Sequence, residues 1–113
     1  MIDLTRAADF TAPAPGEGVH WVEHLRVHAL SLGTYSIPAG AVDDQEPHTE
    51  DEVYVVVSGR GAFEAGGQRV DVRPGTTLFV PAEEEHRFVD VTEDLAVIVV
   101  FAPAEGSLAD GAG

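Results

Sequence analysis

The chain has 113 residues, of which 44% are hydrophobic, so it can bury one hydrophobic core and fits a single domain. Six basic residues against twenty acidic ones give a formal net charge of −14, which would repel nucleic-acid phosphates and anionic membrane surfaces and makes both poor partners. Cysteine is absent, which excludes disulfides, thiolate metal ligands and cysteine nucleophiles, so any metal ion must be bound by His, Asp or Glu.

The N-terminal residues predict the cellular location of the protein and the residue at which its domain begins. MIDLTRAADF lacks a basic segment followed by an apolar run, and no stretch approaches the ~20 apolar residues that cross a bilayer, so we expect a cytoplasmic protein. The segment TAPAPGEG at 11–18 is too rich in Pro and Gly for regular structure. We therefore predict an irregular arm at 1–18, one domain at 19–103 and a flexible tail at 104–113.

From residue 20 onward the pattern is that of short β-strands. HWVEHLRVH at 20–28 alternates apolar with polar residues, which predicts a half-buried strand. Further β-branched or aromatic runs follow in chain order: TYSI, VYVVV, AFEA, QRVDV, TLFV, HRFVDV and LAVIVVF. Turn residues separate most of them, as SGRG at 58–61, EAGG at 64–67, RPG at 73–75 and TED at 92–94. This arrangement predicts an all-β domain of antiparallel strands, folded as a sandwich or a barrel.

Three histidines, His20, His24 and His28, lie in the first of these predicted strands. On a helix the first two would be spaced to chelate a metal ion. On a strand they lie ~13 Å apart, at about 3.3 Å per residue, which is too far for one ion. We therefore interpret them as the polar face of a strand.

The most unusual segment is GAVDDQEPHTEDEVYVVVSG at 40–59, where acidic residues surround one histidine and an apolar strand follows. Alternation along a strand would project Glu46 and His48 together and place Glu52 and Tyr54 on one face of the next strand. An inward carboxylate at Glu52 without a cation would cost several kcal/mol, which favours a role as a metal ligand. The other acidic side chains are expected to form a solvated loop: Asp43, Asp44, Glu50 and Asp51.

A closed barrel would bring three of these side chains together. His86 begins a later predicted strand, and its imidazole could meet His48 and Glu52 around one cation, each at ~2.0 to 2.2 Å. Two histidines and one carboxylate, with coordination positions left open, suit non-haem iron(II) and its oxygen chemistry. The sequence therefore predicts a metal centre built from His48, Glu52 and His86.

The same segment resembles the first conserved motif of the cupin superfamily. That motif runs Gly, five residues, His, any residue, His, three or four residues, Glu, six residues, Gly. Gly40, His48, Glu52 and Gly59 match it, and Glu46 stands where the first histidine usually is.

A second stretch resembles the second cupin motif, which runs Gly, five residues, Pro, any residue, Gly, two residues, His, three residues, Asn. Gly75, Pro81 and His86 match, whereas Glu83 replaces the glycine and Asp90 replaces the asparagine. The resemblance implies a double-stranded β-helix, which is a jelly-roll-like antiparallel barrel.

The resemblance also implies a metal site. Carried over position by position, the ligands are His48, Glu52 and His86, and the fourth is Glu46, the amide oxygen of Gln45, or a water molecule. The implied cofactor is a divalent transition metal, Fe²⁺, Mn²⁺, Ni²⁺ or Zn²⁺. If Glu46 is the fourth ligand, two histidines and two carboxylates bring the net charge of the site near zero, which favours hard ions such as Mn²⁺ and Fe²⁺ over softer ones.

Three kinds of function remain open, because cupin barrels host several reactions as well as plain binding. The first is a metal-dependent small-molecule enzyme with dioxygenase-type chemistry. The second is an isomerase or lyase in which Glu46 acts as base. The third is a non-catalytic ligand-binding cupin. Tyr54 shares the face of Glu52 and is the other candidate catalytic residue.

The expected substrate follows from the scarcity of interior cations. The nearby basic residues are Arg60, Arg69, Arg73 and Arg87, and the last of these has the wrong parity relative to His86 to enter a pocket. A mostly apolar cavity would suit a neutral or aromatic small molecule better than a sugar phosphate. By resemblance to small cupins, we also expect a homodimer formed through the N-terminal strand.

Overall fold

The computed structural model describes residues 1–5, 19–43 and 45–108. It contains six strands, in chain order β1 His20–Arg26, β2 Ser31–Ile37, β3 Asp51–Ala65, β4 Gln68–Val72, β5 Thr77–Val80 and β6 His86–Ala102. All the pairings between them are antiparallel, which confirms the predicted all-β class. Within the described ranges, no helix is long and apolar enough to span a membrane.

The sheet is built around one long strand pair. Its strand order is β1-β2-β6-β3-β4, and β5 pairs with the part of β3 that does not pair with β4. β3 and β6 pair from Asp51 opposite Ala102 to Ala65 opposite His86, which covers the full length of β3. This long pair bends the sheet into a barrel. The start of β6 therefore lies in a wall of the barrel that β3 also forms.

Alternation along the strands directs the core inward, as the sequence predicted. Glu52, Tyr54 and Val56 point to the same side of β3 and are each at most 2% exposed. Phe88 and Val97 from β6 pack into the same core. The one carboxylate in this row of inward side chains is that of Glu52.

Two predicted turns are wrong. Residues 58–61 and 92–94 lie inside β3 and β6, and the pairing continues through register shifts between Val56 and Ala62. Bulges absorb the bend that the sequence indicated, so the strands do not end there. Gly59 has a φ of +94°, and a Cβ at this position would lie 2.2 Å from the backbone oxygen of Asp94. The glycine therefore permits a close approach of two strands, and it does not form a hairpin.

The turn before β5 agrees with the sequence. The amide of Thr76 donates a hydrogen bond to the carbonyl of Arg73 at 2.9 Å, and Gly75 has a φ of +94°. Pro74 followed by a glycine with positive φ is the pattern of a type II turn.

The chain after β6 contacts the barrel again where the predicted tail begins. Residues 103–108, which we name the C-terminal strap, fold back against the barrel. The amides of Gly106 and Leu108 donate hydrogen bonds to the two carboxylate oxygens of Glu50, at 2.7 and 3.1 Å. Residues 109–113, like 6–18 of the predicted N-terminal arm, lie outside the described residues.

The expectation of a solvated acidic loop is also wrong for two residues. Glu50 is 1% exposed and Asp43 is 2% exposed, because each accepts hydrogen bonds from distant backbone amides. Asp51 is exposed and accepts a hydrogen bond from the amide of Ala82 at 2.9 Å. Asp44 lies outside the described residues.

Candidate metal centre

Three predicted ligands meet in the barrel interior. Ligand atoms of His48, Glu52 and His86 all lie within 4.8 Å of one another. Oε1 of Glu52 is 3.0 Å from Nδ1 of His48 and 3.2 Å from Nε2 of His86. Glu52 is the second residue of β3 and His86 the first of β6, whereas His48 lies in the loop before β3. The three side chains therefore converge as predicted, although one comes from a loop.

The hydrogen bonds around His86 leave a lone pair directed at this cluster. Its Nδ1 lies 2.7 Å from the carbonyl oxygen of Glu84, which can only accept, so Nδ1 carries a proton. In the neutral imidazole, Nε2 then presents a lone pair to oxygens of Glu52 and Gln45, at 3.2 and 3.1 Å. These three acceptors repel one another unless a metal ion or a proton lies between them.

The Glu52 carboxylate gives a second indication of a cation site. Its Oε2 atom is buried and has no hydrogen-bond partner among the described residues. Leaving a buried carboxylate oxygen without a donor is costly, and metal coordination is a standard way to remove that cost. The donor set of two imidazoles and a carboxylate fits a divalent transition metal.

Gln45 brings a fourth oxygen to the same point. Its Nε2 donates a hydrogen bond to Oδ2 of Asp43 at 2.8 Å, so its Oε1 faces the cluster. That oxygen lies 3.1 Å from Nε2 of His86 and accepts a hydrogen bond from the Tyr54 hydroxyl at 3.2 Å. Asp43 also accepts from the amide of Phe88 at 2.7 Å, which fixes the carboxylate that orients the glutamine.

Glu46 is not among the residues that the structure brings together at the cluster. Its side chain is exposed, and it lines an open groove of about 740 Å³ at the outer end of the β3–β4 hairpin. Gln45 and His86 line the same groove. The residue that stands at the position of the missing histidine therefore points away, and its neighbour Gln45 points in.

Tyr54 is placed to donate a hydrogen bond. The side chain is 1% exposed, and burial, together with the negative charge of Glu52, raises the pKa of its hydroxyl above the ordinary value. This shift favours the neutral phenol, which can donate a proton in a hydrogen bond.

His48 is held between two carboxylates. Its Nδ1 faces Glu52, and its Nε2 lies 3.5 Å from Oε2 of Glu105 in the C-terminal strap. Burial acts to lower the pKa of His48, but the hydrogen bond and charge of Glu52, with the charges of Glu105 and Glu50, outweigh it and raise the pKa above its ordinary value. Burial also raises the pKa of Glu105, an effect that His48 partly offsets.

A cavity of about 230 Å³ adjoins the cluster. Its walls are largely aromatic or apolar, and its polar groups lie around His48. The lining residues are Trp21, Tyr35, Gln45, His48, Tyr54, Val99, Phe101 and Glu105. Sequence reasoning missed Glu105, because it follows the last strand in a segment without periodicity.

The remaining candidates lie elsewhere. His24 is hydrogen-bonded to the Thr34 hydroxyl at 2.8 Å, and none of the three N-terminal histidines joins the cluster in the part of the chain that is described. Arg87 is exposed and faces Glu64 at 3.9 Å, in agreement with its predicted outward parity. The other described arginines are exposed as well.

The antiparallel barrel is that of the small β-barrel proteins, and its inward cluster of two histidines and a glutamate could hold a metal ion. The sequence pattern of the Cupin domain matches residues 33–101, which is more than half of the chain. The chain belongs to the cupin family, which confirms the resemblance found in the two motifs.

Two relatives resemble this chain in sequence. An uncharacterised protein of Streptomyces coelicolor is 45% identical over 85 residues, which is 75% of this chain and 81% of that protein. An acireductone dioxygenase of Exiguobacterium sibiricum is 38% identical over 58 residues, which is 47% of this chain but 32% of the dioxygenase.

Among solved structures, the DMSP lyase DddQ from Ruegeria pomeroyi aligns with a TM-score of 0.70 at 17% identity. The alignment covers 75% of this chain and 47% of the lyase. Because the sequence identity is so low, the likeness is one of fold alone.

Proposed function

We propose that this protein is a metal-dependent small-molecule enzyme with dioxygenase-type chemistry. The observation that carries the proposal is the buried carboxylate of Glu52, which lies between two imidazoles and has one oxygen without a partner among the described residues. A divalent metal ion bound there would supply Lewis acidity and open coordination positions for oxygen chemistry. The partial match to a dioxygenase supports the same reaction type.

We assign four donors to the ion: His48, Glu52, His86 and the amide oxygen of Gln45. The orientation of the Gln45 amide by Asp43 supports the fourth assignment, as does the exposed position of Glu46. With a neutral amide in place of a second carboxylate, a divalent ion and its donors keep a net charge of about +1. The near-neutral site expected with Glu46 as ligand would not arise.

In this proposal the protein contributes orientation and exclusion of water. The Tyr54 hydroxyl donates to the Gln45 oxygen and keeps the amide from rotating. The aromatic walls of the cavity would exclude water from a bound substrate and hold it beside His48.

The test begins with protein purified without oxygen. Elemental analysis should find about one divalent transition metal per chain, and reconstitution with Fe²⁺ should allow substrate-dependent oxygen consumption that Zn²⁺ does not support. A Glu52→Gln variant should lose both the metal and the oxygen consumption. Stoichiometric metal in that variant would contradict the proposed site.

An isomerase or lyase is the second candidate, because Glu46 lines the groove that Gln45 and His86 also line. There the Glu46 carboxylate could act as base on a substrate that reaches the cluster from the groove. Activity that is independent of oxygen and is lost in Glu46→Gln would favour this candidate over the dioxygenase.

We also propose a homodimer formed through β1, which lies at the edge of the described sheet. Light scattering coupled to gel filtration should give twice the mass of the chain at micromolar concentration. A monomer at all concentrations would contradict this.

A further inference from the structure

The C-terminal strap brings a charged side chain to the wall of the 230 Å³ cavity. The backbone around Glu105 is fixed on both sides: its amide donates to Oγ of Ser31 at 2.8 Å, and its carbonyl accepts from Arg26 at 2.9 Å. The amide of the next residue, Gly106, donates a hydrogen bond to the buried carboxylate of Glu50. Glu105 is therefore held in place by the fold, although it lies beyond the last strand.

The cavity has an uneven charge. Glu105 lines it with a carboxylate, and its side chain is 30% exposed. No arginine lines the cavity among the residues that the structure describes, and the chain contains no lysine. Much of the remaining wall is aromatic: Trp21, Tyr35, Tyr54 and Phe101. Apart from His48, which lies 3.5 Å from the Glu105 carboxylate, and the proposed ion, the lining offers no positive group to a carboxylate or phosphate. Its carboxylate and aromatic rings suit a positive group that is attached to an apolar body.

The volume limits the size of the ligand. Benzene fits in a cavity of ~150 Å³, and pockets for drug-sized molecules begin at ~300 Å³. At about 230 Å³, the cavity has room for one ring with a short substituent.

Building on the proposed function, we propose that Glu105 is the recognition residue for the substrate, and that the substrate class is a small primary amine with a single-ring or similarly sized apolar body. The ammonium group would donate a charge-assisted hydrogen bond to the Glu105 carboxylate, and the ring would contact the aromatic walls beside His48. This keeps the apolar body of the expected neutral or aromatic substrate but replaces its neutral character with a positive charge.

The test compares three probes of nearly the same shape: benzylamine, benzyl alcohol and benzoate. Their dissociation constants are measured by calorimetry at neutral pH, with zinc-loaded and with metal-free protein. The zinc form is redox-silent, and the metal-free form prevents benzoate from binding a metal directly. Variants are Glu105→Gln, which removes the charge and keeps the shape, and Glu93→Gln as a matched control, since Glu93 is an exposed glutamate paired with Arg60.

Benzylamine should bind about tenfold more tightly than benzyl alcohol, and benzoate most weakly in the metal-free protein. Glu105→Gln should reduce the preference for the amine to less than about twofold, whereas Glu93→Gln should leave it unchanged. An equal or stronger affinity for benzoate in metal-free protein, a preference that survives Glu105→Gln, or no binding of benzylamine at millimolar concentration would each overturn the proposal.

The experiment distinguishes failure of the proposed metal site from failure of the proposed amine recognition. If the protein fails to bind zinc but the metal-free form prefers benzylamine through Glu105, the proposed enzyme function fails and the recognition role stands. If zinc binds and the amine preference is absent, the metal site stands and the recognition role fails.

Discussion

Two glutamates that flank the first residue of β3 have similar burial and opposite surroundings. Glu50 is 1% exposed and Glu52 is 2% exposed. Both Glu50 oxygens accept hydrogen bonds, from the amides of Gly106 and Leu108 and from the Thr49 hydroxyl. Oε2 of Glu52 has no hydrogen-bond partner among the described residues, and its Oε1 lies 3.0 and 3.2 Å from ring nitrogens of His48 and His86.

This difference separates a structural carboxylate from a ligand. Burial acts to raise the pKa of Glu50, but its hydrogen bonds outweigh burial and lower the pKa below the ordinary value, so this carboxylate is stable as an anion in the metal-free fold. Glu52 lacks comparable donors and is suited to a cation. Burial alone therefore does not identify a metal ligand, and the unsatisfied oxygen does.

The largest effect expected from replacing either glutamate is the loss of metal affinity when Glu52 is changed. Glu52→Gln should weaken the affinity for Zn²⁺ by more than about 100-fold, since even the loss of a residue that only orients a ligand typically costs 10–100-fold. Competition with a chromophoric chelator would measure it. Glu50→Gln, the matched control, should keep an affinity within about threefold of the parent, and equal losses in the two variants would contradict the assignment.

Metal should also stabilise the fold. At a concentration one hundred times the dissociation constant, binding contributes ~2.7 kcal/mol, which corresponds to a rise in Tm of about 10–20 °C for a domain of this size. Differential scanning fluorimetry with and without Zn²⁺ would show the rise in the parent and in Glu50→Gln. In Glu52→Gln the rise in Tm should disappear. If Zn²⁺ does not change the Tm of the parent protein, the proposed site is contradicted.

The converse experiment addresses the metal-free protein. Glu50→Gln replaces one acceptor with a donor opposite backbone amides, so it should lower the free energy of unfolding by about 1–3 kcal/mol. Urea denaturation in the presence of a chelator would measure the loss. Glu52→Gln should be neutral or stabilising under the same conditions, because it removes a buried charge without breaking a backbone hydrogen bond.

The smallest effect concerns the fourth donor. Gln45→Ala should weaken metal affinity by about tenfold, at the lower end of the range for groups that support a metal site. Glu46→Ala should change it by less than about threefold, because the Glu46 side chain is exposed. A larger loss in Glu46→Ala than in Gln45→Ala would restore Glu46 as the ligand.

The fold was predictable because alternation is local. The inward row of Glu52, Tyr54 and Val56 follows from strand parity alone, and the cluster with His48 and His86 follows once the strands close into a barrel. The continuity of β3 and β6 was not predictable, since Gly59 in a bulge and a glycine in a turn leave the same signal in a sequence.

The buried acids outside the motif were missed for a different reason. The amide bonded to Glu50 lies 56 positions away at Gly106, and the amide of Phe88 lies 45 positions from Asp43. No local pattern reveals partners so distant. The same applies to Glu105, whose place on the cavity wall depends on the strap folding back.

The four proposed donors differ in how they are anchored to the fold. Glu52 and His86 belong to the paired strands β3 and β6, whereas Gln45 and His48 lie in the irregular segment between β2 and β3. Amides near Glu52 and His86 should exchange with deuterium only on global unfolding, and those of the irregular segment through smaller openings. Release of a bound ion should therefore start when this segment lifts away, and the lifetime of the metal complex would report the rate of that local opening.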